Sequence, residues 1–279
     1  MTTEIIDAKR FREFERTAHD RIADSYHAFF VPITEQAAEP LLDTASVRSG
    51  MRILDVATGS GVVAAHAAAR GAVATGVDIS SRMVSLAAEL NPACTFREGD
   101  VECLPFADGS FDAVVCAFGI GHFPCAEAAV AECTRVLVPG GRLAFAWWDA
   151  PVRNRLHGVL LEAIAAADAQ PPPDLPVGPP MFRYSDDGAF GALLALAGLE
   201  GVTVTAHFFT YSIASADALW EGAIGSLART AALLRGQTVE AQRRIRSTFD
   251  RLLAAYSTSQ GLSLPMAFKI ASGRKSKMR

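Results

Sequence analysis

Met51-Arg52-Ile53-Leu54-Asp55-Val56-Ala57-Thr58-Gly59-Ser60-Gly61, followed by Gly76-Val77-Asp78, reads as two strands joined through a glycine-containing turn and a helix. The first strand is apolar and ends on an acidic residue; the second ends on an aspartate. Such a turn needs glycines because side chains there would hold a ligand away from the backbone N–H groups, and Asp78 is placed to bond a ribose diol. The stretch predicts a nucleoside-cofactor site.

Two cofactor classes share this layout. Gly59-Ser60-Gly61-Val62-Val63-Ala64 reads as G-x-G-x-x-A with Asp78 at a spacing suited to NAD, which would make the chain an NAD-dependent oxidoreductase. Three features favour S-adenosylmethionine (SAM). Asp55 precedes the turn, where a carboxylate suits the cationic sulfonium and amino groups but would repel a pyrophosphate. Gly99-Asp100-Val101-Glu102 closes a third strand, and Asp100 can accept from an adenine amino group. Finally, the apolar strand Phe111–Phe118 is followed by a helix and then by Arg135-Val136-Leu137-Val138-Pro139-Gly140-Gly141-Arg142-Leu143.

With these residues in place, the run from Ile53 to Trp148 resembles the class I SAM-dependent methyltransferases, especially the ubiquinone/menaquinone-biosynthesis type and bacterial natural-product relatives, including the teleocidin-pathway C-methyltransferase type. The D-x-x-x-G-x-G loop, the acidic end of the second strand, the Asp-Val pair after the third and the Pro-Gly-Gly turn before the fifth occur in order. Ala57-Thr58 departs from the Gly-Cys or Ala-Cys frequent in relatives and leaves the glycines intact.

The resemblance implies a Rossmann-like α/β fold: a seven-stranded, mostly parallel sheet with helices on both faces, an antiparallel last strand, N-terminal helices and a helical cap. It implies SAM as cofactor, S-adenosylhomocysteine as product, no metal, and a small-molecule acceptor. The cofactor set expected from it is Tyr26, Asp55, Ala57, Gly59, Gly61, Asp78, Ile79, Met83, Asp100, Val101, Glu102, Ala117 and His122. Tyr26 matches a tyrosine that closes over SAM in relatives, and His122 a histidine near the sulfonium. A SAM-binding protein without catalysis would use the same set.

Methyl transfer from a sulfonium needs in-line approach of a nucleophile more than it needs an acid, so positioning and desolvation carry much of the rate. His157 follows the fifth strand by one or two helical turns, near where an acceptor should sit. With Tyr26 it forms the expected catalytic pair, His157 as base or hydrogen-bonding group. Phe30, Trp148, His157, Met181, Phe182, Tyr184 and Phe208 are the expected acceptor-pocket residues, and Phe209 and Trp220 are further aromatic candidates. Such rings suit a flat or isoprenoid acceptor. His19, His27, His66 and His207 have no location argument and read as ordinary packed or surface histidines. Alanine-rich, arginine-over-lysine usage points to a GC-rich bacterium, where relatives tailor polyketides, terpenoids or indole alkaloids. The sequence lacks the Asn/Asp-Pro-Pro-aromatic motif of exocyclic-amine DNA methyltransferases, and Pro124-Cys125 reads as a helix start.

Composition agrees with one compact enzyme. The 279 residues are half apolar, with a net charge of −4 that gives no footprint for nucleic acid. No run approaches the roughly 18 apolar residues of a membrane span. The acidic start lacks the pattern of a secretory signal, and the five cysteines have no metal spacing, so a cytoplasmic protein with reduced thiols is expected.

Three regions are expected: an N-terminal helical lid over 1–48, a SAM-binding core over 49–150, and substrate-side helices with C-terminal strands over 151–279 that complete the same sheet. Residues 3–30 read helical from Phe11, Phe14, Ala18, Ile22, Tyr26 and Phe29. Within 3–18, Glu4, Lys9, Arg10, Arg12, Glu13, Glu15 and Arg16 surround a narrow stripe of Ile5, Ile6, Phe11 and Phe14, so this part must dock to persist. It is expected to help close the substrate pocket in its own chain or a partner, which allows a homo-oligomer through this helix. Residues 151–168, 215–234 and 239–255 read as helices. The proline-rich 170–180 is a rigid loop over the carboxyl edge or a linker, and Leu264–Ser272 should pair antiparallel with 202–211.

Overall fold

The computed structural model describes residues 6–277; Ile5 of the expected stripe and Glu4 beside it lie outside them. The chain opens with α1 (Ala8–Phe29), capped by Asp7, whose side chain accepts from the backbone N–H of Arg10 at 3.0 Å. Pro32 then sits in the first turn of a short α2 (Val31–Thr34), and α3 (Ala38–Thr44) carries Leu41 and Leu42 into the core.

Strands and helices alternate from there: β1 (Arg52–Val56), α4 (Val62–Ala69), β2 (Val73–Asp78), α5 (Ser81–Leu90), β3 (Thr95–Glu98), β4 (Phe111–Ala117), α6 (Ala126–Val136) and β5 (Leu137–Trp148). The central strands β1, β4 and β5 are apolar on both faces, so helices must cover both sides of the sheet. The remainder is α7 (Arg155–Ala166), α8 (Asp187–Leu196), β6 (Leu199–Ile213), α9 (Ala216–Ser226), α10 (Ala228–Arg235), α11 (Val239–Leu253), the two-residue β7 (Ser257–Thr258) and β8 (Gly261–Lys275).

The sheet order is β3-β2-β1-β4-β5-β8-β6, with β7 paired to β8 outside that path. β1 to β5 are parallel and β8 runs antiparallel to both neighbours. Tyr211 faces Leu264 and Thr203 faces Ser272, the antiparallel pairing expected of the two runs. β7 is the one strand not read in the sequence.

Two helices differ from expectation for visible reasons. The run 215–234 divides at Leu227, where Ser25 Oγ donates to the Gly225 carbonyl and Ser226 Oγ donates to the Ser25 carbonyl, so α1 satisfies the broken turn. The helix expected from 151 starts at Arg155 because the Asn154 side chain caps it.

The proline-rich segment is the loop rather than the linker. Its carbonyls accept from Arg10 at Asp174 (2.8 Å) and from Arg229 at Pro176 (2.8 Å), and the Met181 carbonyl just after it accepts from Trp147 Nε1 (2.6 Å). It is thereby fixed to α1, α10 and β5. No helix among the described residues is long and apolar enough to cross a membrane.

Candidate cofactor and acceptor site

The carboxyl ends of β1, β2, β3 and β4 surround a cavity of about 800 Å³, part of it open to solvent, and α1 lies along it. Helices carry the chain back after β1, β2 and β4, and the segment 99–110 does so after β3, so these strand ends share one edge of the sheet. Of the expected cofactor residues, Tyr26, Ala57, Gly59, Asp78, Ile79, Met83, Asp100, Val101, Glu102, Ala117 and His122 line this cavity. Asp55 lines a smaller pocket that shares Tyr26, Ala57, Gly59 and Ala117 with the first.

Gly61, the other glycine of the loop, is not among the residues lining either pocket. It has φ +82°, and a Cβ there would stand 2.7 Å from the Phe96 ring and 2.8 Å from Asn91 Nδ2. Its glycine serves the close approach of α4 to β3. Gly59, with φ +55° and nothing near its Cβ position, leaves the backbone open to a ligand.

Asp78 is buried and holds the loop directly: Oδ2 accepts from Gly59 N–H at 2.8 Å and Oδ1 from Ser80 N–H at 2.9 Å. Asp55 is also buried, and its Oδ2 accepts from Thr58 Oγ1 at 2.6 Å and Ala64 N–H at 3.2 Å. Burial pushes Asp55 up to about 7, the two hydrogen bonds pulling against it and the Asp78 charge adding to it. Burial likewise raises Asp78.

Ala57 and Phe118 follow the neighbouring strands β1 and β4 in left-handed conformations, φ +52° and +59°. That costs a residue with a side chain roughly 1–2 kcal/mol, and such strain collects at functional sites. Phe118 recovers part of it by stacking on Trp148, with centroids 3.9 Å apart.

Residues missed in the sequence come chiefly from α1. Arg12, Glu15 and His19 line the cavity beside Tyr26. They fall three, four and seven positions apart, one face of a helix. The apolar stripe was legible; this polar face, opposite a glycine loop, was the signal left unread. Arg12 Nε reaches Asp100 Oδ2 at 2.7 Å and its Nη2 pairs with Glu102.

Glu15 is 3% exposed and its Oε2 meets His122 Nδ1 at 2.9 Å and His19 Nδ1 at 3.5 Å. Burial opposes its charge, yet the two imidazoles leave its pKa below the ordinary value. His122 is lowered by burial and raised more by Glu15, so its pKa is raised overall. His19, expected to be an ordinary histidine, is therefore part of the site.

Beyond Phe118 the rings of Phe30, Trp148, His157 and Phe182 meet. Trp148 and His157 centroids are 5.2 Å apart, Phe30 is 6.0 Å from each, and Phe182 is 6.1 Å from His157. Burial drives His157 down to about 3, with the His122 charge adding to it, so the ring is neutral at physiological pH. Tyr26, tilted against Phe30 at 5.5 Å, is pushed up to about 12 by burial and keeps its proton.

The remaining expected acceptor residues separate from this group. Met181 adjoins it through its carbonyl on Trp147. Tyr184 packs on Phe190 of α8, 5.4 Å away. Phe208 is 68% exposed on edge strand β6, beside Val152 and Arg153, because its register turns it outward. Phe209 packs on Phe268, and Trp220 on Phe249.

A family model described as a methyltransferase domain matches residues 54–145. The demethylmenaquinone methyltransferase of Beutenbergia cavernae is 42% identical over 39% of this chain and 46% of its own length. The ubiquinone/menaquinone biosynthesis C-methyltransferase UbiE of Rhizobium leguminosarum is 36% identical over 62% of this chain and 72% of its own. The chain belongs to the class I SAM-dependent methyltransferases. Solved structures agree in fold: YcgJ of Bacillus subtilis (20% identity, TM-score 0.57, 87% of this chain and 99% of that one) and a Haemonchus contortus phosphoethanolamine N-methyltransferase bound to S-adenosylhomocysteine (17%, 0.58, 95% and 60%).

Proposed function

We propose that this methyltransferase transfers the methyl group of SAM to a small, flat, largely apolar acceptor held among Phe30, Phe118, Trp148, His157 and Phe182. The observation that carries this reading is Phe118, which lines the cofactor cavity and stacks on Trp148 in the aromatic cluster. A sulfonium methyl at that end of the cavity faces the acceptor side. In this reading Asp78 binds the ribose, Asp100 the adenine amino group, and Asp55 the cationic methionyl end, with Tyr26 and His122 beside it. S-adenosylhomocysteine is the product.

The relatives' names place them in quinone biosynthesis, and a quinol-like ring fits the cluster; polyketide, terpenoid and prenylated indole acceptors share its flat or isoprenoid chemistry. A cytoplasmic setting accords with the five unpaired thiols. Labelled SAM offered with panels of these acceptors tests the proposal. SAM binding with no transfer to any of them, or to a metabolite extract, would favour a non-catalytic SAM-binding role.

His157 serves best as a hydrogen-bond acceptor, because a ring with a pKa of about 3 is a weak proton store. His157→Ala should lower kcat or kcat/KM about tenfold with SAM affinity nearly unchanged. Wild-type turnover across the pH range in that variant would remove His157 from the site.

Asp55 gives SAM binding a pH dependence. Its folded pKa, about 7, lies above its ordinary 3.8, so folding stability is fullest below 3.8 and is lost as pH rises through 7. The cation favours the ionised carboxylate, so SAM affinity should rise between pH 6 and 8, by up to about tenfold per unit below the pKa. Asp55→Asn should flatten that profile, weaken SAM, and raise the Tm of the SAM-free protein at pH 8. Calorimetry and thermal melts at both pH values read all three, and an unchanged profile in the variant would sink the assignment.

A further inference from the structure

The backbone N–H of His157 points at the Asn154 side-chain oxygen, 3.4 Å away, in the cap that starts α7. A backbone N–H can only donate, which fixes the amide with its oxygen on that side. The same oxygen lies 3.2 Å from His157 Nδ1. An oxygen of a primary amide can only accept, so the imidazole proton must be on Nδ1 and the lone pair on Nε2.

We infer that Asn154 is a positioning residue: it sets the His157 tautomer so that Nε2 is presented as an acceptor to a donor group on the methyl acceptor. This rests on the acceptor-site reading of His157 given above. Two observations support it. Asn154 is 0% exposed and His157 3%, so water does not compete for either side chain. His157 Nε2 is buried without a hydrogen-bond partner among the described residues, and so is Asn154 Nδ2. Buried polar atoms are rarely left unpaired in an apolar setting, and each exception calls for an explanation, which a donor on the bound acceptor supplies for Nε2.

The rings surrounding Nε2 come from different elements. Trp148 ends β5, Phe30 follows α1, and Phe182 stands at the end of the proline-rich loop. Of these, Phe182 alone is carried by the long irregular segment, whose Met181 carbonyl is held by Trp147. The acceptor is then an apolar molecule bearing a hydroxyl or a ring N–H beside the methylated atom, a class that includes phenols, quinols and indoles. An acceptor lacking such a donor leaves Nε2 unpaired and loses that discrimination.

The test pairs spectroscopy with kinetics. Histidine-selective ¹⁵N labelling distinguishes a protonated ring nitrogen from an unprotonated one, and the His157 signals are assigned by their loss in His157→Phe. Wild-type protein should show Nδ1 protonated and Nε2 unprotonated from pH 5 to 8. Asn154→Ser keeps a side-chain cap for α7 but is too short to reach Nδ1, so the helix persists while the tautomer is released. In that variant the two tautomers should mix, kcat should fall about tenfold and SAM affinity should stay within twofold of wild type.

A protonated Nε2 in the wild type, or an unmixed Nδ1–H tautomer in Asn154→Ser, would overturn the positioning role. Wild-type turnover by His157→Phe would overturn the acceptor-site reading on which it rests. The two failures are separable, because the tautomer is read without an acceptor present.

Discussion

Replacing Asp78 with alanine should weaken SAM tenfold to a hundredfold and also lower the Tm of the SAM-free protein. The affinity loss follows from removing a charge-assisted hydrogen bond to a ribose diol, typically worth roughly 1.5–3 kcal/mol. From the strand pattern alone this substitution reads as purely functional. The structure adds a stability cost, since the carboxylate also accepts from the backbone N–H groups of Gly59 and Ser80. Leaving buried donors unpaired costs about 1–3 kcal/mol apiece. Asp78→Asn separates the effects: one oxygen can still accept from a loop N–H, while its amide nitrogen confronts the other. Calorimetry with SAM and a thermal melt on each variant give both numbers, and SAM affinity unchanged in Asp78→Ala would end the ribose assignment.

A chain lacking residues 1–16 should bind SAM at least tenfold more weakly and lose acceptor turnover in step. The deletion removes Arg12 from Asp100 and Glu102, removes Glu15 from His122, and takes away the Phe11 ring that Arg229 covers at 5.3 Å. The cavity then opens along the α1 side. The expected closure of the substrate pocket is thus shifted: these residues lie against the cofactor cavity, and they dock on their own chain. A change in particle size by light scattering on deletion would show that this helix also joins copies of the chain. Full activity with unchanged SAM affinity would show that the first half of α1 takes no part in closure.

The fold was legible because its signals are local and repeated. Continuous apolar strands alternating with helices can be buried only in a two-sided parallel sheet, and the paired alternating runs near the C-terminus fixed the antiparallel edge. Asp55, Gly59, Asp78 and Asp100 were readable because each sits at a strand end beside a turn whose chemistry is specific. The boundary at Leu227 was not readable, since it depends on hydrogen bonds from Ser25 and Ser226 across some two hundred residues of sequence. Phe208 was misplaced for a related reason: an aromatic in an alternating strand faces core or solvent according to which neighbour covers that face, and β6 is an edge.

The sequence by itself determined the sheet, the order of its elements and the acidic strand ends, because hydrophobic period and turn chemistry act over a few residues. Tertiary structure alone decided how those ends are closed and charged. Glu15 becomes a buried ion-pair partner only because α1 brings it to His122, 107 positions away. His157 becomes a neutral imidazole only because Trp148, Phe30 and Phe182 bury it, with the Asn154 oxygen 3.2 Å from its Nδ1. Desolvation and long-range charge are properties of an assembled environment, and no window of sequence contains them.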